Sequence, residues 1–364
     1  MYVLSDTLKR GNNNFDLIRL FAALAVMLGH SYGIQGAVGF EAMILLTHLE
    51  SFGSLAVYAF FMISGMLVSA SYAANPRIGP FVVARAARIW PAVIVCSAVI
   101  AFVIGPVFAP GTLSAYISNA EVYRWFAHNA SLIGRVGGRL AGLFGDNHAK
   151  FLVNATAWTL PVELKCYVLV LLAGLMGLMG SRWKLALFVV VAAGLFAYFI
   201  AHPVDSVFFG DVLLLPPAYS FYPVPFFLLG MILYSFRTSV VLSGRLVLVL
   251  LTGAVVLRYS RPGTVFFYLL FAYGLLWLSS VRRLLAFRPK HDYSYGIYLY
   301  GFVVQQSFAA LFPNTNNFVS LAFTVPVAAA FAAFSWHVVE RPALRWARKW
   351  KGGSKEPNRV PSLS

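Results

Sequence analysis

Three ionisable residues near the start of the chain have the types and the spacing for acid–base chemistry. Asp16, Arg19 and His30 lie in the segment F-D-L-I-R-L-F-A-A-L-A-V-M-L-G-H. Eleven residues separate Arg19 from His30, so on a helix the two side chains share one face, about 16 Å apart along the axis. Asp16 precedes Arg19 by three residues and is predicted to pair with it. The segment predicts an anion-binding cation and, deeper in the same helix, a titratable imidazole suited to general-base catalysis.

Two arginines further along form a second pattern. Arg85 and Arg88 in V-A-R-A-A-R-I-W-P are three residues apart and share a helix face. Two guanidinium groups on one face suit the binding of phosphates. Anchoring at the cytoplasmic surface of a membrane explains the same pair, and the spacing alone favours anchoring.

Glu163 is the carboxylate that we expect beside the imidazole. It follows Pro161 in W-T-L-P-V-E-L-K, where the proline suits the first position of a helix and the acid suits its first turn. The simpler interpretation of Glu163 is an acid at the start of a helix, at the membrane interface. The simpler interpretation of His30 is a histidine that packs against a neighbouring helix. Because this helix starts on the outer side, Glu163 is expected at a depth comparable with His30, so that the two can meet in one cavity.

Other candidates are weaker. Asp292 and Ser294 open a later span as capping residues, and Glu340 with Arg341 is interpreted as the end of the last span. We find no phosphate-binding glycine loop, nucleophile elbow or metal-ligand set, and the two cysteines are too few for a thiolate metal site. The sequence therefore predicts no metal.

The composition determines the elements that must hold these residues. The chain has 364 residues, of which 60% are hydrophobic and only 11% charged, and this balance excludes a soluble protein. We predict an all-α membrane helix bundle, residues 1–345, with ten spans of about 20 residues each. The predicted spans are 15–34, 52–73, 87–108, 160–180, 184–201, 215–235, 242–258, 263–280, 293–312 and 318–340.

The basic residues orient the predicted bundle. Of the 28 lysines and arginines, 21 fall on the side that carries both termini, which the positive-inside rule assigns to the cytoplasm. The net charge of +16 thus indicates topology rather than nucleic-acid binding. Residues 109–153 form a long extracytoplasmic or re-entrant connection, and residues 346–364 a basic tail that we expect to be disordered.

At these same residues the chain resembles the acyltransferase-3 family of membrane proteins. The resemblance rests on six segments in the family's order, which together cover nearly the whole chain. They are D-L-I-R with a histidine eleven residues after the arginine (16–30), F-F-M-I-S-G-M-L (60–67), R-A-A-R-I-W-P (85–91), W-T-L-P-V-E (158–163), S-Y-G-I-Y-L (294–299) and V-E-R-P (339–342).

The resemblance implies ten transmembrane helices and transfer of an acyl group, commonly acetyl from acetyl-CoA, to a hydroxyl of a cell-surface or exported carbohydrate, in a bacterial inner membrane. On that basis we expect Arg85 and Arg88, aided by Arg19, to bind the phosphates of the acyl-CoA. His30 is expected to act as the base, with Glu163 orienting it and Asp16 holding Arg19. Many members carry a histidine two residues after S-Y-x-I-Y-L, where this chain has Gly301.

Two other functions fit the same residues. Intramembrane His, Glu and Arg also build the proton relays of secondary transporters and flippases, although the repeat symmetry typical of those proteins is not evident here. A non-catalytic membrane partner of a polysaccharide assembly complex is the third possibility. Acyl transfer by the purified protein would distinguish the acyltransferase from the other two functions. The sequence contains no information on the oligomeric state.

Overall fold

The computed structural model describes residues 2–9, 11–37, 41–133, 136–201 and 223–352. Within these ranges the chain is predominantly helical, and the two strands, β1 and β2, pair antiparallel. The strands are Tyr2–Val3 (β1) and Val241–Leu242 (β2). The longer helices are Phe15–Gln35 (α1), Phe52–Ala74 (α2), Ile78–Val99 (α3), Ala120–Ser131 (α4), Thr159–Leu175 (α5), Arg182–Ala201 (α6), Val224–Ser235 (α7), Gly244–Val256 (α8), Arg261–Ser280 (α9), Ser294–Leu311 (α10), Asn317–Ser335 (α11) and Arg341–Gly352 (α12).

Six helical segments in the described ranges are long and apolar enough to cross a membrane, which indicates an integral membrane protein. These segments are Phe15–Gln35, Phe52–Ala74, Ile78–Phe108, Ala155–Leu175, Arg261–Ser280 and Asn317–Trp350. The other predicted spans coincide with α6, α7, α8 and α10, of which α7 and α8 are short for a bilayer crossing. The predicted span 215–235 includes α7, and its first residues, 215–222, lie outside the described residues. The α-helical membrane fold is confirmed, and the number of ten spans stays a prediction.

Local sequence explains where the first helices begin and end. At the start of α2, the Ser51 hydroxyl accepts from the Ser54 amide while the Ser54 side chain accepts from the Ser51 amide, which satisfies two free amides. Gly36 ends α1 in the left-handed conformation, with φ of 61°, which glycine adopts without strain. Asn14, just before α1, donates to the carbonyls of Leu278 and Val281 at the end of α9. This contact ties the start of α1 to α9.

Helix α2 is the most buried of the six segments and packs against α1, α5 and α7. Its crossing with α7 depends on two glycines. A Cβ on Gly65 would lie 2.1 Å from the carbonyl oxygen of Phe227, and one on Gly230 would lie 2.3 Å from that of Met62. Small residues allow this close approach of backbones inside a membrane. The α2–α7 pair therefore depends on glycine at both positions.

We expect the substitution Gly65→Ala to lower the thermal unfolding temperature of the detergent-solubilised protein. The added methyl group collides with backbone, which cannot rotate away, and overpacking of this kind costs on the order of 1–3 kcal/mol. Gly194→Ala in α6 is the matched control, because nothing lies within 4 Å of its Cβ position. Equal unfolding temperatures for the two variants would contradict the close crossing.

The long connection and the C-terminal segment both contain helices. Residues 109–153 include the short helix Leu113–Ser118 and the amphipathic helix α4. A π-helical turn, Trp336–Glu340, joins α11 to α12, so the helix does not end at Glu340 as the sequence suggests. The tail predicted to be disordered is helical as far as Gly352, and the rest of it lies outside the described residues.

Candidate active site

A cavity of about 600 Å³ opens among α1, α2, α3, α5, α10 and α12. We call it the basic cavity, because six of its lining residues are arginine or lysine. Its charged lining residues are Asp16, Arg19, Arg85, Arg88, Glu163, Arg288, Lys290, Asp292 and Arg348. Residues from the start of α1 and from α12 both line it, so the two ends of the described chain lie at one end of the bundle. Five of the six predicted site residues meet there.

Arg19 lies between two carboxylates at the start of α1. Its Nη1 atom is 3.5 Å from Asp16 Oδ1 and 3.8 Å from Asp292 Oδ2. The pairing of Asp16 with Arg19 expected from their spacing is thus present. Asp292 comes from the segment before α10, so Arg19 links α1 to α10 through it.

Arg88 is held by two carboxylates from the C-terminal half of the chain. Its Nη2 is 2.7 Å from Asp292 Oδ2, its Nη1 is 3.7 Å from Glu340 Oε2, and its guanidinium lies 5.2 Å from the centre of the Tyr295 ring. Burial would raise the pKa of the Asp292 carboxyl, but the charges of Arg88 and Arg19 outweigh burial and lower that pKa to about 2. Asp292 is therefore ionised near neutral pH and neutralises Arg88.

The π-helical turn explains how Glu340 comes to face Arg88. Such turns insert an extra residue into a helix and re-aim the side chains that follow. Glu340 is 2% exposed, accepts a hydrogen bond from Ser335 at 3.0 Å, and keeps its Oε2 for Arg88. Interpreted from sequence, Glu340 is a helix end, and the structure gives it a different role. The available signal was an acid within an otherwise apolar span, in V-E-R-P.

Arg85 and Glu163 face the same cavity and are connected through Tyr167. The Arg85 guanidinium lies 5.7 Å from the centre of the Tyr167 ring, and the Tyr167 hydroxyl donates to Glu163 Oε1 at 2.5 Å. Ser64 donates to the same oxygen at 3.2 Å. Within the described part of the chain Arg85 makes no ion pair, and its buried Nε has no hydrogen-bond partner. Unlike Arg88, Arg85 has its charge available to a ligand.

His30 lies outside the lining of the basic cavity. The imidazole is half-buried and meets the ring of Phe302 edge-on, with 5.1 Å between centroids. We find no hydrogen bond to its ring among the described residues, and Glu163 instead accepts from Ser64 and Tyr167. The structure thus does not bring His30 and Glu163 into contact.

The wall between His30 and the basic cavity is aromatic. Tyr298 lines the cavity, and Phe302, which contacts His30, lies one turn further along α10. Phe60 packs edge-on against Tyr298, with 5.6 Å between centroids. At Gly301, where many acyltransferase-3 proteins have histidine, a Cβ would lie 2.9 Å from Met27 of α1. This glycine allows α1 to pack closely on α10 near His30.

Together these features describe an α-helical membrane protein with a positively charged cavity at one end and an imidazole beyond it. No cluster of three or more potential metal ligands occurs in the described ranges. The cavity suits an anionic ligand.

Comparison with known proteins gives the family. The model of the acyltransferase-3 family, described as an acyltransferase domain, matches residues 12–339. The chain is 26% identical to the O-acetyl transferase of Shigella phage Sf6 over 356 residues, which covers 92% of this chain and 96% of that protein. It is 29% identical over 365 residues to nodulation protein 10 of Rhizobium leguminosarum bv. viciae, covering 92% and 93%. No solved structure matches. The chain belongs to the acyltransferase-3 family and is an O-acyltransferase.

Proposed function

We propose that this O-acyltransferase moves an acyl group, commonly acetyl, from cytoplasmic acyl-CoA to a hydroxyl of a cell-surface or exported carbohydrate. The observation that carries the proposal is the basic cavity, whose six cationic side chains surround a space of about 600 Å³ at one end of the bundle. A coenzyme A thioester carries several phosphate charges on one long flexible arm, and cationic clusters bind such groups. The basic end then faces the cytoplasm of a bacterial inner membrane, as the charge distribution predicts.

The cationic residues of the basic cavity have different roles in binding the donor. Arg85, which makes no ion pair in the described ranges, binds a phosphate, and Arg288, Lys290 and Arg348 supply further charge in the same lining. Arg88 is already neutralised by Asp292 and Glu340, so it positions the cavity wall and contributes less net charge to the ligand than Arg85 does. Arg19 contributes from α1 while Asp16 holds it.

The reaction needs one base near the thioester. His30 removes the proton from the acceptor hydroxyl, whose oxygen attacks the thioester carbonyl. The carbon–sulfur bond then breaks, and the leaving thiolate takes the proton back from the imidazolium, giving an ester and free coenzyme A. Glu163, which accepts hydrogen bonds from Tyr167 and Ser64, favours the imidazolium form of His30 through its negative charge rather than by direct contact with the ring.

The pantetheine arm must pass the aromatic wall to reach His30. Rotation of Phe60 and Tyr298 is the smallest movement that extends the basic cavity toward the ring. Tyr298 is anchored, since its hydroxyl is 2.6 Å from Thr159 Oγ1 and donates to the Thr156 carbonyl at 3.0 Å. Phe60 has no polar anchor, so Phe60 is the side chain that moves.

The function is tested with cells that have or lack the gene and with purified protein. The surface glycan of gene-containing cells should be heavier by whole acyl units, and purified protein should transfer labelled acetyl from acetyl-CoA to glycan taken from the deletion strain. Equal glycan masses together with no transfer in vitro would overturn the proposal. Movement of a glycan precursor across vesicles without acyl chemistry would favour the transporter function.

Arg85→Gln should weaken acetyl-CoA binding by about 10- to 100-fold, because a hydrogen bond to a charged group contributes about 1.5–3 kcal/mol. Folding should be unaffected, since Arg85 makes no ion pair within the described chain. The measurement is the acetyl-CoA dissociation constant in detergent. Arg124→Gln on α4, outside the basic cavity, is the matched control. Equal affinities for the two variants would assign Arg85 to membrane anchoring.

A further inference from the structure

A second cavity, of about 440 Å³, lies at the other end of α1. We call it the polar cavity and define it by Tyr32, Gln35, Asn314, Asn316, Asn317 and Phe318. Gln35 follows Arg19 by sixteen residues, which places the two cavities about 24 Å apart along the helix. They share no lining residue. His30 lies on α1 between the levels of Arg19 and Gln35, five residues or about 7.5 Å along the helix axis from Gln35.

The lining of the polar cavity differs chemically from that of the basic cavity. Its described lining residues carry no charge and present carboxamides, hydroxyls and two aromatic rings. Tyr32 and Phe318 meet edge-on with 6.2 Å between ring centroids, and Phe318 is 58% exposed. Carboxamides donate and accept hydrogen bonds, which matches the hydroxyls of a sugar. Exposed ring faces pack against the apolar C–H faces of a sugar.

Gln35 is the lining residue that points most strongly to ligand binding in the polar cavity. The side chain is 4% exposed, and its Nε2 donates to Ser320 Oγ at 3.0 Å. Its Oε1 has no hydrogen-bond partner among the residues that the structure describes. A buried acceptor without a donor costs free energy, so buried polar atoms are almost always satisfied. A ligand hydroxyl in the cavity would supply the donor that this oxygen lacks.

The walls of the polar cavity are held in place by the long connection. Asn147 donates to the carbonyl and the side-chain oxygen of Gln306 in α10, at 2.9 and 2.7 Å. This contact fixes the neighbouring His148, whose Nε2 is 3.0 Å from Asn314 Oδ1. At Gly36 a Cβ would lie 2.7 Å from the His148 ring, so glycine is needed for this close approach. The site is therefore built from the end of α1, residues 314–316 and the start of α11, and the 109–153 connection supports it through His148.

We infer that the polar cavity binds a neutral carbohydrate and holds the acyl acceptor beside His30. That the ligand is the acceptor rests on the proposed function. Gln35 and the exposed amides select sugar hydroxyls, while Tyr32 and Phe318 pack on the ring. The two substrates then enter from opposite ends of α1.

The test uses glycan purified from a strain that lacks the gene, bound to the full-length protein in detergent. Gln35→Leu should weaken glycan binding by about tenfold, the factor expected for one neutral hydrogen bond together with an unsatisfied partner. Phe318→Leu and Tyr32→Leu should weaken it as well. Phe334→Leu is the matched control, because Phe334 is on the same helix, is also 58% exposed and lines neither cavity. Acetyl-CoA affinity should be unchanged in all four variants and also reports correct folding.

The outcomes separate this inference from the proposed function. Glycan binding that all three polar-cavity variants leave unchanged would overturn the inference, as would the absence of glycan binding to the wild type. Glycan binding that depends on Gln35 and Phe318, without any acyl transfer, would support the polar cavity and count against the proposed reaction. If Gln35→Leu fails to bind acetyl-CoA, Tyr32→Leu and Phe318→Leu decide the matter.

Discussion

Replacing His30 with alanine should reduce acyl transfer by about 10²- to 10⁴-fold, the range that a positioned general base contributes. The loss should appear in kcat, because removing the base affects the transition state more than the binding of either substrate. The acetyl-CoA dissociation constant should stay at the wild-type value, since His30 does not line the basic cavity. The measurement is transfer of labelled acetyl to deletion-strain glycan, with the variant at equal abundance in the membrane.

His128→Ala is the matched control for this experiment. His128 is an exposed residue of α4, outside both cavities. Wild-type transfer by His30→Ala would exclude the imidazole as the base. A covalent route through an acylated imidazole makes a different prediction, because the wild-type protein, incubated with labelled acetyl-CoA alone, would retain label that His30→Ala lacks.

Arg88→Gln should destabilise the fold by on the order of 3 kcal/mol, or about a hundredfold in the folding equilibrium. The substitution removes the positive charge that faces Asp292 at 2.7 Å and Glu340 at 3.7 Å, which leaves the buried Glu340 without an ion pair in the described chain and Asp292 with only Arg19 at 3.8 Å. The expected result is a lower thermal unfolding temperature and less folded protein in the membrane.

Arg85→Gln is the control for Arg88→Gln. The sequence spacing assigns phosphate binding to both arginines, and the two variants test whether one binds the donor while the other stabilises the fold. Arg85→Gln should retain stability and lose donor affinity, whereas Arg88→Gln should lose stability. A combined Arg88→Gln and Glu340→Gln variant should recover part of the stability, because it removes the carboxylate that is left unpaired. Normal unfolding of Arg88→Gln would show that the three groups are not energetically coupled.

The sequence predicted the helices well because their signals are local. The long apolar runs from which the spans were predicted act locally, and so do the Ser51 cap and the left-handed Gly36 that the structure shows at two helix ends. Spacing on one helix also predicted the pairing of Asp16 with Arg19, which lie 3.5 Å apart. These predictions need only the geometry of a single helix.

The contacts between distant helices could not be derived in this way. Arg85 and Arg88 look equivalent in sequence, and only the packing of residues more than two hundred positions later neutralises one of them. Equal depth in the membrane suggested that His30 and Glu163 meet, but depth does not fix the direction in which a side chain points. The π-helical turn that aims Glu340 at Arg88 has no simple periodic signal.

The aromatic rings between the two cavities have a consequence for the cell as well as for the reaction. An enzyme with a cavity open to both faces of a membrane at the same time would let ions leak across it and would dissipate the gradients that drive the cell's energy metabolism. Phe60 and Tyr298 line the basic cavity, and Phe302 contacts His30 one turn beyond Tyr298. Under the proposed function, a passage for the pantetheine arm past these rings need be no wider than the arm itself, which would limit the leakage of ions during the reaction.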